Sequence, residues 1–158
     1  MLDQQQLTYF AKQTIALAQQ QVDKGGLPFS SIIVNREGDC IGEGVNQVNA
    51  LCDCTAHAEI QAIRAACSAL ERTDLTGSTL FASGEPCGLC YMAIRLAKIS
   101  QVVILLDRHE VRQLGFDYLW TYESQDDMPP RLRIDYLSDE LKFAPFLQCQ
   151  QGLDAIGL

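Results

Sequence analysis

The stretch TLFASGEPCGLCYMAIRLAKISQVVILL, residues 79–106, contains a strand, a turn, a helix and a second strand in close succession. Thr79 to Ser83 reads as a short strand, and Gly84-Glu85-Pro86 ends it. Proline suits the first turn of a helix, where the N–H it lacks would have no intrahelical partner. A helix is therefore expected from about Cys87 to Lys98. Gln101 to Leu106 reads as a strand with an unbroken apolar run from Val102, the pattern of a strand buried on both faces of a parallel sheet.

Working outward, Leu7, Phe10, Ala11, Thr14, Ile15, Ala18 and Val22 recur at three- and four-residue spacing, which marks one face of an amphipathic helix. Gly25-Gly26 and Pro28 close it. Phe29 to Val34 reads as a strand, Glu37-Gly38-Asp39 as a hairpin turn, and about Cys40 to Gly44 as a second strand. Asn46 to Thr55 is polar and irregular, with Asp53 or Thr55 placed to cap the helix that follows. That helix is expected from about His57 to Leu70, with Ile60, Ile63, Ala66, Cys67 and Leu70 as its apolar stripe. After Leu106 come a short helix near Arg108 to Leu114, a loop through Pro129-Pro130, a strand at Leu132 to Leu137 and a last helix from about Asp139. A hairpin followed by strand–helix alternation predicts an α/β fold: a three-layer α/β/α sandwich around a mostly parallel, five-stranded mixed sheet. No repeat interrupts it, and too little chain follows Asp126-Asp127-Met128-Pro129-Pro130 for a second domain, so residues 1–158 are expected to form one domain.

Twelve basic and twenty acidic residues give a formal charge of −8. An average field of that sign repels phosphate backbones, which sets the expectation against a nucleic-acid partner. Met1 to Gln6 lacks the positive flank and apolar run of a secretory signal, and Val102 to Leu106 is far shorter than the roughly 20 residues that span a bilayer. A cytoplasmic protein with no membrane partner is expected. Seven cysteines form no even framework, so metal ligation and scattered buried thiols are favoured over disulfides.

Cys87-Gly88-Leu89-Cys90 at a helix start lets two sulfurs converge on one ion, and the helix N-terminus favours the thiolates that a metal needs. His57 opens another helix and can supply a third ligand, leaving one tetrahedral position for water, as in catalytic zinc sites. Glu59 lies about 200° from His57 on an ideal helix. From a frayed first turn, however, it can reach the water position and act as the proton carrier.

Together, His57-Ala58-Glu59 and Pro86-Cys87-Gly88-Leu89-Cys90 resemble the His-x-Glu and Pro-Cys-x-x-Cys signature of the cytidine deaminase superfamily. Over roughly Leu7 to Leu137 the chain is most similar to the guanine deaminase and nucleoside deaminase branch. Gly26-Leu27-Pro28-Phe29 is similar to that branch's Gly-x-Pro-Phe, whose ring lines the base pocket. Gly44-Val45-Asn46 is similar to its Gly-x-Asn, whose amide reads the base edge, and Gly115-Phe116-Asp117 to its Gly-Phe-Asp. The chain departs from the branch at Tyr118, where a second acid is usual, at Leu96, where tryptophan is usual, and at Ser30, where glycine is common. The departures surround the base rather than the metal, so the resemblance carries the reaction type and not guanine specificity.

The resemblance implies a zinc-dependent hydrolytic deaminase that releases ammonia from a free nucleobase, nucleoside or related amino-heterocycle. One Zn²⁺ per chain would be held by His57, Cys87 and Cys90, with Glu59 catalytic. Asn46, Phe29, Ala58, Asp117 and Tyr118 are the candidate substrate-binding residues, and a homodimer is implied. Cytosine deaminase and tRNA adenosine deaminase remain alternatives, as does a non-enzymatic, zinc-stabilised binding module in which Cys54 closes a four-ligand site. Asn46 could serve only as a turn former, Phe29 as a core residue and Asp117 as a cap. Tyr118-Leu119-Trp120 could be packing or a cover over the pocket. Cys40, Cys67 and Cys149 read as small buried hydrophobes, and His109 as a solvated residue.

Overall fold

Asp3 opens the first helix with a reciprocal cap: its carboxylate accepts from Gln6 N–H while the Gln6 side chain accepts from Asp3 N–H. Two otherwise orphaned donors are thereby satisfied. In the computed structural model, which describes residues 2–123 and 143–155, this helix is α1 (Gln4–Asp23). It is followed by β1 (Ser30–Val34), β2 (Cys40–Val45), α2 (Val48–Leu51), α3 (Ala58–Leu70), β3 (Thr79–Gly84), α4 (Gly88–Leu96), β4 (Gln101–Leu106) and α5 (Arg108–Gln113). A 3₁₀ turn spans Leu119–Tyr122, and α6 covers Ala144–Ala155.

The chain divides into two compact units, Met1–Gln125 and Asp126–Leu158. The first holds the sheet and all helices through α5. Within the second, Phe143, Phe146 and Leu147 are exposed around the start of α6. Among the described residues no helix is long and apolar enough to cross a membrane.

Among the described residues the sheet has four strands in the order β2-β1-β3-β4, not the expected five; the strand anticipated at 132–137 and the loop through Pro129-Pro130 lie outside the described residues. Nor is it mostly parallel. β1 runs antiparallel to both β2 and β3, and only β3 and β4 pair in parallel. The reason is the hairpin turn, in which Asn35 and Asp39 bond each other through backbone and side chain. A link that short forces β2 antiparallel to β1. The chain then crosses through α3 and lays β3 on the far side of β1.

Side chains alternate across the sheet. Ile32, Val34 and Phe81 pack with Leu2 and Phe10 on the α1 face. Ile33, Leu80 and Ala82 pack with Ala62, Ala66, Ile94 and Ala97 on the α3 and α4 face. Three layers result. The strand β4, expected to be buried on both faces, is half-exposed, with Ile104 36% and Leu106 38% accessible.

The stripe of α3 also differs from expectation. Its buried residues are Ala58, Glu59, Ala62 and Ala66, while Ile63 and Cys67 pack only at the flank and Leu70 is exposed. Glycine in β2 is the cause. A Cβ on Gly44 would lie 2.2 Å from the Ala58 carbonyl oxygen and 2.4 Å from the Ala62 nitrogen. Helix and strand touch backbone to backbone, so only alanine fits between them. Cys40 and Cys149 are exposed and Cys67 is half-buried, so the structure does not use these thiols as a buried core.

Candidate active site

The close seat of α3 on β2 fixes where the helix begins. His57 is its N-cap, in extended backbone with φ −69° and ψ 157°, and Cys87 is the N-cap of α4 with φ −69° and ψ 174°. The His57 side chain makes no cap hydrogen bond to α3, and the Cys87 side chain meets its own helix at Cys90. They project toward each other. His57 Nδ1 lies 3.4 Å from Cys87 Sγ and 3.4 Å from Cys90 Sγ, and the two sulfurs are 3.5 Å apart.

Tetrahedral zinc with one nitrogen and two sulfur ligands sets edges of roughly 3.5–3.8 Å. The observed triangle is within a few tenths of an ångström of that, and one imidazole nitrogen with two sulfurs is a donor set zinc favours. His57, Cys87 and Cys90 are thus positioned to hold a metal ion. Two helix N-termini aim partial positive charge at the trio. Within it, the hydrogen bond from Cys90 and the neighbouring His57 draw the Cys87 thiol down to about 4. The same bond to Cys87, together with burial, pushes Cys90 up. His57 is raised, first by its contact with Cys87.

Glu59 is buried, and its Oε2 lies 3.3 Å from Cys90 Sγ. Burial pushes its carboxyl above the ordinary glutamate value. The expected 200° offset from His57 does not apply, because His57 stands outside the helix in extended backbone and only Glu59 follows helical geometry. Asp53 and Thr55 do not cap α3. Asp53 instead accepts from the Thr55 N–H at 2.8 Å and hydroxyl at 2.7 Å, after a short helix, Val48–Leu51, in the segment expected to be irregular.

A cavity of about 390 Å³ opens over this centre. Phe29, Asn46, Ala58 and Tyr118 all line it with His57, Glu59 and Cys87, so the structure gathers four of the five expected substrate-side residues. Asn46 directs Oδ1 to the Val48 N–H at 3.2 Å. Phe29 meets Phe116 edge-on at 5.3 Å and Tyr118 at 6.4 Å. Asp117 is not in the lining: its carboxylate pairs with Arg112 Nε at 3.2 Å and accepts the Leu119 N–H. Cys54 lines the cavity, yet the ligand group within reach of one ion comprises His57, Cys87 and Cys90 among the described residues.

Sequence reasoning passed over Glu85, Leu89 and Thr121, which also line the cavity. Burial would raise Glu85, but hydrogen bonds from Arg108 outweigh it and hold the carboxyl below its ordinary value. An acid directly before Pro86-Cys87 was the available signal. The 3₁₀ turn brings Trp120 and Thr121 to the rim and docks on the metal-side turn through Gly88 N–H to Thr121 Oγ1 at 2.9 Å.

Residues 4–106 match the family model described as the cytidine and deoxycytidylate deaminase zinc-binding region. The chain is 38% identical to the guanine deaminase of Bacillus subtilis (strain 168) over 118 residues, 74% of this chain and 75% of that one. The X-ray structure of the B. subtilis guanine deaminase superposes with a TM-score of 0.82 at 30% identity, covering 95% of each chain. A tRNA-specific adenosine deaminase of Aquifex aeolicus is 40% identical over 95 residues, 60% of this chain and 62% of the relative. A guanine deaminase structure from Nitrosomonas europaea matches at a TM-score of 0.66 and 27% identity, over 69% of this chain and 63% of that one.

Proposed function

The chain belongs to the cytidine and deoxycytidylate deaminase family, and from that membership and its cavity we propose that it deaminates a free amino-substituted heterocycle of nucleobase or nucleoside size. A zinc-dependent, hydrolytic deaminase acting on C–N bonds is the family's chemistry. The observation that carries the proposal is Glu59, a buried carboxylate beside the His57, Cys87 and Cys90 trio and open to the cavity.

His57 Nδ1 and the sulfurs of Cys87 and Cys90 would hold the zinc, which when bound lowers the pKa of a water to about 7. Glu59 then takes a proton from the attacking water as its oxygen bonds to the carbon bearing the exocyclic amine. The carboxyl passes that proton to the adjacent ring nitrogen, then takes the proton of the newly added hydroxyl and delivers it to the amine as the C–N bond breaks, the carbonyl forms and ammonia departs. Asn46 orients the ring. With Oδ1 turned to the Val48 N–H, its Nδ2 is the donor left for the substrate, so an acceptor edge of the heterocycle faces it. Ala58, first residue of α3, offers one of the N–H groups that a helix leaves unpaired. Phe29 and Tyr118 supply ring faces against which a planar substrate packs.

The relatives act on guanine or on adenosine in tRNA by their names. A formal charge of −8 favours the small heterocycle over tRNA. Residues 1–158 are taken as one deaminase domain in a cytoplasmic homodimer. The match to the B. subtilis structure over 95% of each chain supports the single domain, and the exposed Phe143, Phe146 and Leu147 support self-association.

The test is Glu59→Gln with ammonia release and zinc content measured together. Zinc should stay at one per chain while turnover falls by about 10²–10⁴-fold. Near-normal turnover would remove Glu59 from the reaction. Guanine, cytosine, adenine, their nucleosides, pterins, aminotriazines and a tRNA, each assayed for ammonia, would identify the substrate.

A further inference from the structure

Arg108 lies outside the cavity, yet it joins the two elements that define it. Its guanidinium donates to Glu85 Oε1 through Nε at 3.0 Å and Nη2 at 2.7 Å, and its backbone N–H donates to Oε2 at 2.7 Å. With the Tyr91 hydroxyl at 3.1 Å, the Glu85 carboxylate accepts four hydrogen bonds and is 9% accessible. Glu85 sits between β3 and Pro86-Cys87, so the carboxylate is part of the turn that presents the metal ligands. The other side of the guanidinium lies 3.8 Å from the centroid of the Tyr122 ring.

Tyr122 ends the 3₁₀ turn, whose hold on the metal-side turn is made of side chains. The Tyr122 hydroxyl donates to the Pro86 carbonyl, Tyr118 Oη donates to the Glu85 carbonyl at 2.5 Å, and Thr121 Oγ1 accepts from Gly88 N–H at 2.9 Å. Rings continue the path inward, with Tyr122 6.4 Å from Tyr118 and Tyr118 6.4 Å from Phe29. Arg108 touches both ends of this clamp, gripping Glu85 and covering Tyr122 at 3.8 Å; Tyr91 spans the same ends with one hydroxyl on Glu85 and its ring 6.3 Å from Tyr122.

We propose that Arg108 is a positioning residue for substrate: by bridging Glu85 and Tyr122 it fixes the Tyr118–Tyr122 wall against the Cys87 turn at the spacing a planar ring needs. Substrate affinity depends on that spacing. Metal retention and proton transfer depend on His57, Cys87, Cys90 and Glu59, which Arg108 does not touch. A charged contact in which Nε and Nη2 both donate to Oε1 suits the task, because two donors on one planar group fix orientation as well as distance. A lysine would keep the charge without the fork.

The proposal rests on the deaminase reading of the cavity, and one readout is independent of it. Trp120, in the wall, is the only tryptophan of the chain, so its fluorescence and its quenching by acrylamide report wall order with no substrate present. Arg108→Met should raise KM about tenfold, with kcat within about twofold, zinc unchanged and Trp120 more readily quenched. Arg108→Lys should fall between Met and wild type. Tyr122→Phe, which keeps the ring under the guanidinium and removes only the hydroxyl, should move KM and quenching in the same direction by less. It serves if Arg108→Met fails to fold.

Unchanged KM with unchanged quenching would overturn the proposal. So would a fall in zinc content and kcat at constant KM, which would make Arg108 a support of the metal turn alone. If the wild-type protein releases ammonia from no member of the panel, the deaminase reading fails. Quenching and zinc content across the three variants then still decide whether Arg108 orders the wall.

Discussion

The two sides of the cavity are built by different means. The metal side stands on the frame: His57 and Cys87 cap two helices, and α3 rests on β2 with backbone atoms in contact. The aromatic side, residues 116–123, belongs to no strand and, among the described residues, leans on α4 and α5. Its 3₁₀ turn is held by tyrosine and threonine hydroxyls reaching backbone groups of Glu85, Pro86 and Gly88. Altering the first side disturbs the sheet, whereas altering the second exchanges one side-chain bond for another. On the proposed reading, proton chemistry sits where the fold tolerates little change, and substrate choice where it tolerates more. The relatives, by their names a guanine deaminase and a tRNA-specific adenosine deaminase, differ in substrate.

The largest effect should come from the frame. Gly44→Ala places a methyl 2.2 Å from the Ala58 carbonyl and 2.4 Å from the Ala62 nitrogen, and neither can rotate away. Overpacking of this kind costs about 1–3 kcal/mol and more where backbone must shift. A lowered urea midpoint and reduced zinc content, since α3 carries His57, are the expected outcomes. An unchanged midpoint would show that α3 is not seated as rigidly as the comparison requires.

Gly88→Ala attacks the wall instead. Its Cβ would lie 2.1 Å from the Thr121 carbonyl oxygen. Cys87 and α4 are anchored in the core through Cys90 and Ile94, so the 3₁₀ turn should be the part that yields. KM should rise by roughly tenfold, about 1.4 kcal/mol, with zinc retained. Loss of zinc at unchanged KM would invert the assignment of rigid and yielding sides.

The metal side was also the legible one. Cys87-x-x-Cys90 and His57-x-Glu59 carry ligand type and spacing within a few residues, and a helix start converts that spacing into geometry without tertiary information. The stripe of α3 was misread because residues on another element, Gly42 and Gly44, decide which side chains fit beneath it. The sheet's direction was misread for a similar reason: the insertion of β1 between β2 and β3 is not written in either strand. On the wall, Phe29 and Tyr118 were readable as rings near a motif, but Asp117 was drawn to Arg112 five residues earlier, an orientation no local pattern specifies. Glu85 was hidden because its partner Arg108 comes after another helix and strand.

Asn46 lies where the two sides meet, and Asn46→Asp separates its two roles. Aspartate keeps an oxygen for the Val48 N–H, so the turn survives. It replaces the Nδ2 donor with an acceptor, which opposes an acceptor edge of the substrate. KM should rise by about fivefold to tenfold, with an unchanged urea midpoint and zinc content. Unchanged KM would reduce Asn46 to a turn former.

The smallest effect is expected at Cys54, and its smallness is informative. Cys54 is exposed and lines the cavity, and a Cys-x-x-His pairing with His57 would let it complete a closed metal site. The geometry leaves it out, because among the described residues the ligand atoms within reach of one ion are those of His57, Cys87 and Cys90. Cys54→Ser should therefore leave zinc at one per chain and change kcat less than about twofold, since a solvent-facing thiol outside the proton path contributes little to either. Retained zinc keeps a coordination position open to water, which hydrolysis requires and a purely structural zinc site would fill. Zinc loss in this one variant would close that position, and with it the distinction between a catalytic side held by the frame and a substrate side held by hydroxyls.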